Sequence, residues 1–183
     1  MRKLRIAIGS YFLRREILPL ERVRERVVYN LDDACKIGVV YDATNRQTYE
    51  MTRNFVLYLK ERQKHVVSLG FINSKDPNQL LKPLLEFRYF NKKDLTWHFK
   101  PKGVEVQNFL DEDYDILIDL CIDKCFPVRC ICGLSKAKFK VGTTGENSAV
   151  FYDLMINIEK KKTLENYITQ VKHYLGIINK KDA

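Results

Sequence analysis

Short apolar runs alternate with amphipathic segments along most of the chain, and this pattern predicts an α/β domain. Residues 36–42 form an apolar run that ends in Asp42, and residues 65–72 form a second one. Between them, residues 45–63 repeat apolar side chains at helical spacing. This strand–helix–strand succession takes about 36 residues, which is the size of a βαβ unit.

The second half of the chain continues the alternation. Residues 114–121 are almost continuously apolar, which indicates a strand buried on both faces, as in a parallel sheet. The other predicted elements are strands at 87–90, 138–142 and 152–158 and helices at 78–85 (interrupted by Pro83), 104–110, 126–136 and 163–175. Together they predict a single Rossmann-like, three-layer α/β domain with a mostly parallel sheet of five or six strands.

Residues 1–30 are predicted to form a basic helical appendage to this domain, which spans residues 31–183. Pro19 predicts a break in the helix. The positions expected to share one apolar face are Leu4, Ile8, Tyr11 and Phe12. The arginine-rich start also has the composition of a mitochondrial presequence, but a retained amphipathic helix is the preferred interpretation. Three placements stay open for it: against the domain, on a membrane, or on RNA.

Composition indicates what such a domain binds. The 183 residues carry a formal net charge of +9, which favours anionic partners, and no apolar run approaches the roughly 18 residues of a membrane span. Cations and aromatic rings interleave around Trp97, as suits phosphate contact and base stacking. The candidate anion-binding or nucleic-acid-binding residues are Arg2, Lys3, Arg5, Arg14, Arg15, Lys92, Lys93, Trp97, Lys100, Lys136, Lys138 and Lys140. The plainer interpretation is an aromatic core with a solvated rim of lysines.

A second candidate site lies where the predicted strands end. Ligands of open parallel sheets bind beyond the carboxyl ends of the strands, and both Asp42 and Asp119 stand at such ends. The small-ligand candidates are Asp42, Thr44, Asp119, Gly142 and Thr143. The first strand–helix turn has no glycine, which argues against NAD or ATP bound in the usual manner. The alternatives are structural: Asp42 starts a turn, Asp119 is a cap or pairs with a lysine, and residues 142–145 form a plain strand-to-strand turn.

The cysteines and histidines form no recognisable catalytic or metal-binding motif. Four of the five cysteines follow the spacing C-x3-C-x4-C-x-C, which is not a common zinc pattern. On a helix, Cys130 and Cys132 would point about 200° apart. We therefore expect reduced, intracellular thiols that fill apolar positions, and we assign no metal, no cofactor and no catalytic residue.

The chain resembles two families. The stretches YDILIDL (114–120), FP (126–127), LSKAKFKVG (134–142) and YDLMI (152–156) are similar to a short, uncharacterised domain family of Bacteroidota. This resemblance implies a bacterial, cytoplasmic protein. Residues 114–142 also resemble the amino-terminal half of heptosyltransferases of glycosyltransferase family 9, which implies a Rossmann-like sheet. That family's sugar-nucleotide site lies mostly in a second domain, for which this chain has no room, so no glycosyltransferase activity is implied.

The function favoured by the sequence is a non-enzymatic module that binds RNA or a ribonucleoprotein surface. One alternative is a sensor or enzyme for a small phosphorylated or sugar-nucleotide ligand at the carboxyl edge of the sheet. Another is a peripheral membrane protein or protein-complex adaptor that docks through the amino-terminal helix. A steep salt dependence of affinity is expected of the first class.

Overall fold

The computed structural model describes residues 2–74 and 87–178, and its centre is one six-stranded parallel sheet. The strands are β1 (Lys36–Asp42), β2 (His65–Ile72), β3 (Phe87–Asn91), β4 (Ile116–Asp119), β5 (Phe139–Thr143) and β6 (Leu154–Ile156). Their order across the sheet is β3-β2-β1-β4-β5-β6, and every pairing is parallel. The predicted Rossmann-like α/β fold is confirmed. The predicted helical segment at 78–85 lies outside the described residues.

Helices cover both faces of the sheet. They are α1 (Arg2–Val23), α2 (Arg46–Glu61), α3 (Val104–Leu110), α4 (Phe126–Leu134) and α5 (Leu164–Ile177). One core lies between the sheet and helices α2 and α5, and the other between the sheet and helices α3 and α4. Strands β1 and β4 are buried on both faces because helices pack on either side, which explains their continuous apolar sequences.

Local sequence sets the helix starts. Asn45 caps α2 by accepting a hydrogen bond from the Gln47 backbone N–H. Thr163 caps α5 through the Asn166 backbone N–H. Pro127 lies in the first turn of α4, as predicted, where its missing N–H costs no intrahelical hydrogen bond.

Helix α1 lies outside α4 as an additional layer. Its buried positions are Gly9, Leu13 and Ile17, which pack against α4 around Cys130 and Gly133. The predicted break at Pro19 is wrong, because the helix continues to Val23. The predicted apolar face is also wrong: the buried face of α1 is a different set of positions, and Leu4, Tyr11 and Phe12 are exposed.

An ion-pair network ties the carboxyl end of α1 to the sheet. Glu21 accepts hydrogen bonds from Lys140 at 2.8 Å and from Arg24 at 3.0 Å. Arg24 forms a bidentate pair with Asp153, at 2.9 and 2.7 Å. Asp153 also accepts from the Lys140 backbone N–H. The side chain of Lys140 is only 1% exposed, so this predicted nucleic-acid contact is instead a buried structural cation.

Candidate functional site

The sheet order creates a crevice where its two halves meet. The chain runs outward from β1 to β3 and then returns to β4 on the other side of β1, so β1 and β4 are central neighbours. In open parallel sheets, ligands bind at this point, outside the carboxyl ends of the strands. Asp42 ends β1 there and is partly buried.

Asp42 and Thr44 shape the loops around the crevice. Oδ1 of Asp42 accepts a hydrogen bond from the Thr44 backbone N–H at 2.9 Å. The Thr44 hydroxyl accepts one from the Asn73 backbone N–H at 2.8 Å. These contacts hold the loop after β1 against the end of β2. The sequence prediction placed both residues at this edge, and the structure shows them there, already engaged in loop contacts.

A cavity of ≈ 520 Å³ opens beside Asp42, and we call it the basic crevice. Six parts of the fold line it: the ends of β1 and β2, Lys92 after β3, the loop that carries Leu95 and Phe99, the start of α4, and the start of α1. Its charged residues are Arg2, Arg5, Lys92, Lys124 and Asp42. Four cations against one carboxylate make a positive site, which favours an anionic ligand.

The cations of the basic crevice differ in how they are held. The Arg5 Nε donates a hydrogen bond to the Trp97 carbonyl at 2.5 Å, and its guanidinium lies 4.6 Å from the centre of the Phe99 ring. Lys124 forms an exposed ion pair with Glu146 at 2.9 Å. Within the described part of the chain, neither Arg2 nor Lys92 forms an ion pair.

The amino terminus of α4 adds to the positive potential. Residues 124–127, which include the N-cap and the first two residues of this nine-residue helix, line the crevice. Its N-cap, Cys125, makes no side-chain hydrogen bond to the first turn, in which Phe126 and Val128 each carry a backbone N–H and Pro127 carries none. These groups carry the positive end of the helix dipole and suit a phosphate. Lys124 was not among the residues predicted from sequence to bind an anion; the signal that could have indicated it is its position just before a helix with Pro127 in its first turn.

A neighbouring cavity of ≈ 540 Å³ lies along the ends of β4 and β5, and Asp119 and Thr143 line it. Oδ2 of Asp119 accepts a hydrogen bond from the Tyr152 hydroxyl at 2.6 Å, and Oδ1 accepts one from the Cys121 backbone N–H at 2.8 Å. Burial raises the pKa of the Asp119 carboxyl, and these hydrogen bonds oppose that shift. Asp42 and Asp119 therefore line different cavities instead of one paired site.

Gly142 has a packing role in the structure. A Cβ atom at this position would lie 2.5 Å from Cζ of Tyr152. The tyrosine ring thus lies directly over the glycine of β5, and the hydroxyl on Cζ donates its hydrogen bond to Asp119. The absence of a side chain at Gly142 is explained by the ring, without a ligand.

The other predicted nucleic-acid contacts are spread over the molecule. Lys3, Arg14 and Arg15 are exposed on α1, and Lys93 is exposed beside Lys92. Lys100 pairs with Glu16 at 2.5 Å, and Lys138 pairs with Asp115 at 3.1 Å. Lys136 and Lys138 precede β5 and so lie at the amino edge of the sheet, opposite the basic crevice. The structure brings together Arg2, Arg5 and Lys92 from this set.

The cysteines of α4 face different surroundings. Cys130 packs with Leu13 and Ile17 of α1, whereas the Cys132 thiol donates a hydrogen bond to Asp119 at 3.5 Å. Hydrogen bonding with Cys125, together with burial, raises the pKa of the Cys121 thiol. Within residues 2–74 and 87–178, no cluster of three or more His, Cys, Asp or Glu side chains is arranged to hold a metal ion.

Comparison with known protein families identifies the chain's relatives. The model of a family of unknown function, DUF6913, matches residues 8–178. The chain belongs to this DUF6913 family. The expected membership of an uncharacterised domain family is thus confirmed, and no curated protein matches the chain. The DUF6913 match includes Asp42, Lys92 and Lys124 of the basic crevice, whereas Arg2 and Arg5 precede it. None of the described helices is both long and apolar enough to cross a bilayer.

Proposed function

We propose that the protein binds a small phosphorylated molecule in the basic crevice. The observation that carries the proposal is the convergence of four cationic side chains and the amino terminus of α4 on one cavity with a single carboxylate. Charge-assisted hydrogen bonds from such groups are the common means of holding phosphate. The crevice also stands at the switch point of the sheet, where ligands of this architecture bind.

The walls of the crevice indicate the rest of the ligand. Its volume of ≈ 520 Å³ falls within the range of small-molecule sites. Phe71, Leu95, Phe99 and Phe126 supply apolar surface next to the cations. Asp42 faces the same space and offers a carboxylate oxygen to a hydroxyl or amino group. These features fit a phosphorylated molecule that also carries a flat or apolar part, such as a nucleotide.

Binding without catalysis is the simplest function for this arrangement. Asp42, the one carboxylate among the described residues that line the crevice, already accepts a backbone hydrogen bond. Of the functions considered from sequence, we therefore propose the sensor of a small phosphorylated ligand. RNA binding stays the alternative, and the bacterial origin and cytoplasmic location implied by the resemblance stay predictions.

Calorimetric titration of the full chain tests the proposal, with pyrophosphate and a series of nucleoside mono- and diphosphates as probes. We expect saturable binding of one molecule per chain, with pyrophosphate competing against the nucleotide. A raised melting temperature should accompany binding, because a ligand of the folded state stabilises it. A protein that binds none of these probes at millimolar concentration, while its fold is intact, would contradict the proposal.

Substitution of Lys92 should weaken nucleotide binding. Lys92→Gln removes a cation that faces the crevice, and it leaves the fold unchanged because the side chain is exposed. A charge-assisted hydrogen bond contributes about 1.5–3 kcal/mol, so affinity should fall about tenfold or more. The dissociation constants of both proteins, measured at the same salt concentration, check this.

The matched control is Lys136→Gln, the same change at an exposed lysine on the opposite edge of the sheet. Its nucleotide affinity should equal that of the unmodified protein. Equal weakening by both substitutions would indicate diffuse attraction of anions instead of a site. If an oligoribonucleotide bound more tightly than any mononucleotide, and both lysines contributed to that affinity, the RNA alternative would replace the proposal.

A further inference from the structure

Helix α1 is apolar on two opposite sides. Gly9, Leu13 and Ile17 form the buried side against α4. Leu4, Tyr11 and Leu18 form the outer face of α1, and their side chains are 66%, 59% and 60% exposed. Residues seven apart on a helix are rotated by only about 20° from one another, so these three form one stripe. Large apolar side chains in a continuous exposed stripe indicate an interaction surface.

The stripe continues onto the loop that carries Trp97. The rings of Tyr11 and Phe12 have their centres 5.7 Å apart, and those of Phe12 and His98 are 5.8 Å apart. The His98 and Trp97 rings follow at 5.1 Å. Trp97 is itself 57% exposed. A contiguous aromatic surface therefore runs from the outer face of α1 to Trp97.

The charges around the outer face have one sign. Its exposed cations are Lys3, Arg14, Arg15 and Arg22. The two acidic residues of α1, Glu16 and Glu21, are engaged on the protein side, where they pair with Lys100 and Lys140. The outer face thus presents apolar and cationic side chains without a carboxylate among them, which is complementary to an anionic surface.

We propose that the outer face of α1, together with Trp97, docks on an anionic lipid surface. Leucine, tyrosine and tryptophan side chains enter the headgroup region, while arginines and lysines contact lipid phosphates. The aliphatic side chains of Leu4 and Leu18 favour lipid over RNA, since they offer no ring for a base to stack on. A second copy of the chain is disfavoured as the partner, because its outer face would carry the same positive charge. This proposal does not rest on the small-ligand function.

The single tryptophan of the chain provides the measurement. Purified full-length protein is mixed with vesicles of phosphatidylglycerol or, in parallel, of phosphatidylcholine alone. We expect sedimentation with the anionic vesicles and a shift of Trp97 emission to shorter wavelength, and neither change with phosphatidylcholine. Absence of sedimentation with anionic vesicles at low salt would overturn the proposal, as would sedimentation without a shift of Trp97 emission.

Substitutions on the outer face separate docking from simple charge attraction. The triple variant Leu4→Gln, Tyr11→Gln, Leu18→Gln keeps every charge, and it should lower the vesicle partition coefficient at least tenfold. Its control changes three exposed apolar residues elsewhere: Leu57→Gln, Val104→Gln, Ile177→Gln. The control should bind vesicles as the unmodified protein does. Equal vesicle binding by the two triple variants, each with an unchanged melting temperature, overturns the proposal. The proposal is also overturned if the unmodified protein binds RNA but not vesicles and the outer-face variant loses that RNA binding.

Discussion

Replacing Glu21 with glutamine should lower the free energy of unfolding by about 3–5 kcal/mol. Glu21 is the carboxylate between Lys140, whose side chain is 1% exposed, and Arg24, which is 3% exposed. Taking one partner out of a buried pair leaves the other charge uncompensated in a poorly solvated position. Because Lys140 lies on β5 and Glu21 on α1, the substitution also loosens the helix from the sheet. Chemical denaturation of both proteins at neutral pH measures the difference.

Glu21 also makes the free energy of unfolding depend on pH. Burial alone would raise the pKa of Glu21, but hydrogen bonds from Lys140 and Arg24 outweigh burial and lower the pKa to about 2. The ordinary value is 4.5, so the folded state binds this proton less readily than the unfolded chain does. The resulting stabilisation is complete above the unfolded pKa and is lost as the pH falls through about 2. Glu21→Gln should remove this part of the pH dependence.

Two controls make the expectation specific. Arg26 also contacts Glu21, at 2.7 Å, but is 60% exposed, so Arg26→Gln should cost no more than about 1 kcal/mol. The double variant Glu21→Leu, Lys140→Met removes both charges of the Glu21–Lys140 pair, leaves Arg24 paired with Asp153, and should be more stable than Glu21→Gln. If Glu21→Gln and Arg26→Gln lowered the free energy of unfolding by the same small amount, the ion-pair network would not be what holds α1 to the sheet.

Replacing Gly142 with alanine should cost about 2–4 kcal/mol. The new Cβ would lie 2.5 Å from Cζ of Tyr152, so the ring must move. The ring cannot move freely, because the Tyr152 hydroxyl donates a 2.6 Å hydrogen bond to the buried Asp119. The free-energy cost of overpacking therefore adds to the cost of weakening a hydrogen bond to a buried carboxyl group. The midpoint of denaturation is the readout.

The control for this substitution is Gly176→Ala in α5, where a Cβ meets no atom within 4 Å. Alanine in an open helical position should be neutral or stabilising, by up to about 1 kcal/mol. Gly142→Ala should leave pyrophosphate affinity unchanged wherever the variant is folded, since Gly142 does not line the basic crevice. Unchanged stability with lost ligand binding would instead support the ligand role that the sequence suggested for Gly142.

Much of the fold could be predicted because its signals are local. The apolar runs that became β1, β2 and β4 need burial on both faces, and only a sheet covered by helices offers it. Pro127 marked the start of α4 since a proline has its place in the first turn. The predicted strand at 152–158 shortened to Leu154–Ile156, because Tyr152 instead packs over Gly142.

The roles of the charged residues depended on contacts between distant parts of the chain. The sequence shows Lys140 as one of several lysines, and only the packing of α1 against α4 brings Glu21, 119 residues away, to pair with it. The same packing brings Arg2 and Arg5 to the crevice beside Asp42 and Lys92. Two sites that the sequence treated as alternatives, a basic surface and a carboxyl-edge pocket, thereby share one cavity.

The amino-acid sequence by itself determined the α/β class, the parallel sheet and the position of Asp42 at a strand end. These properties follow from hydrophobic periodicity and helix-start residues, which act within a few positions along the chain. Only the tertiary structure decided which face of α1 is buried, which cations are neutralised and which meet in the basic crevice. The sequence does not distinguish a buried side chain from an exposed one of the same type. Burial and pairing arise only when segments distant in the chain pack together.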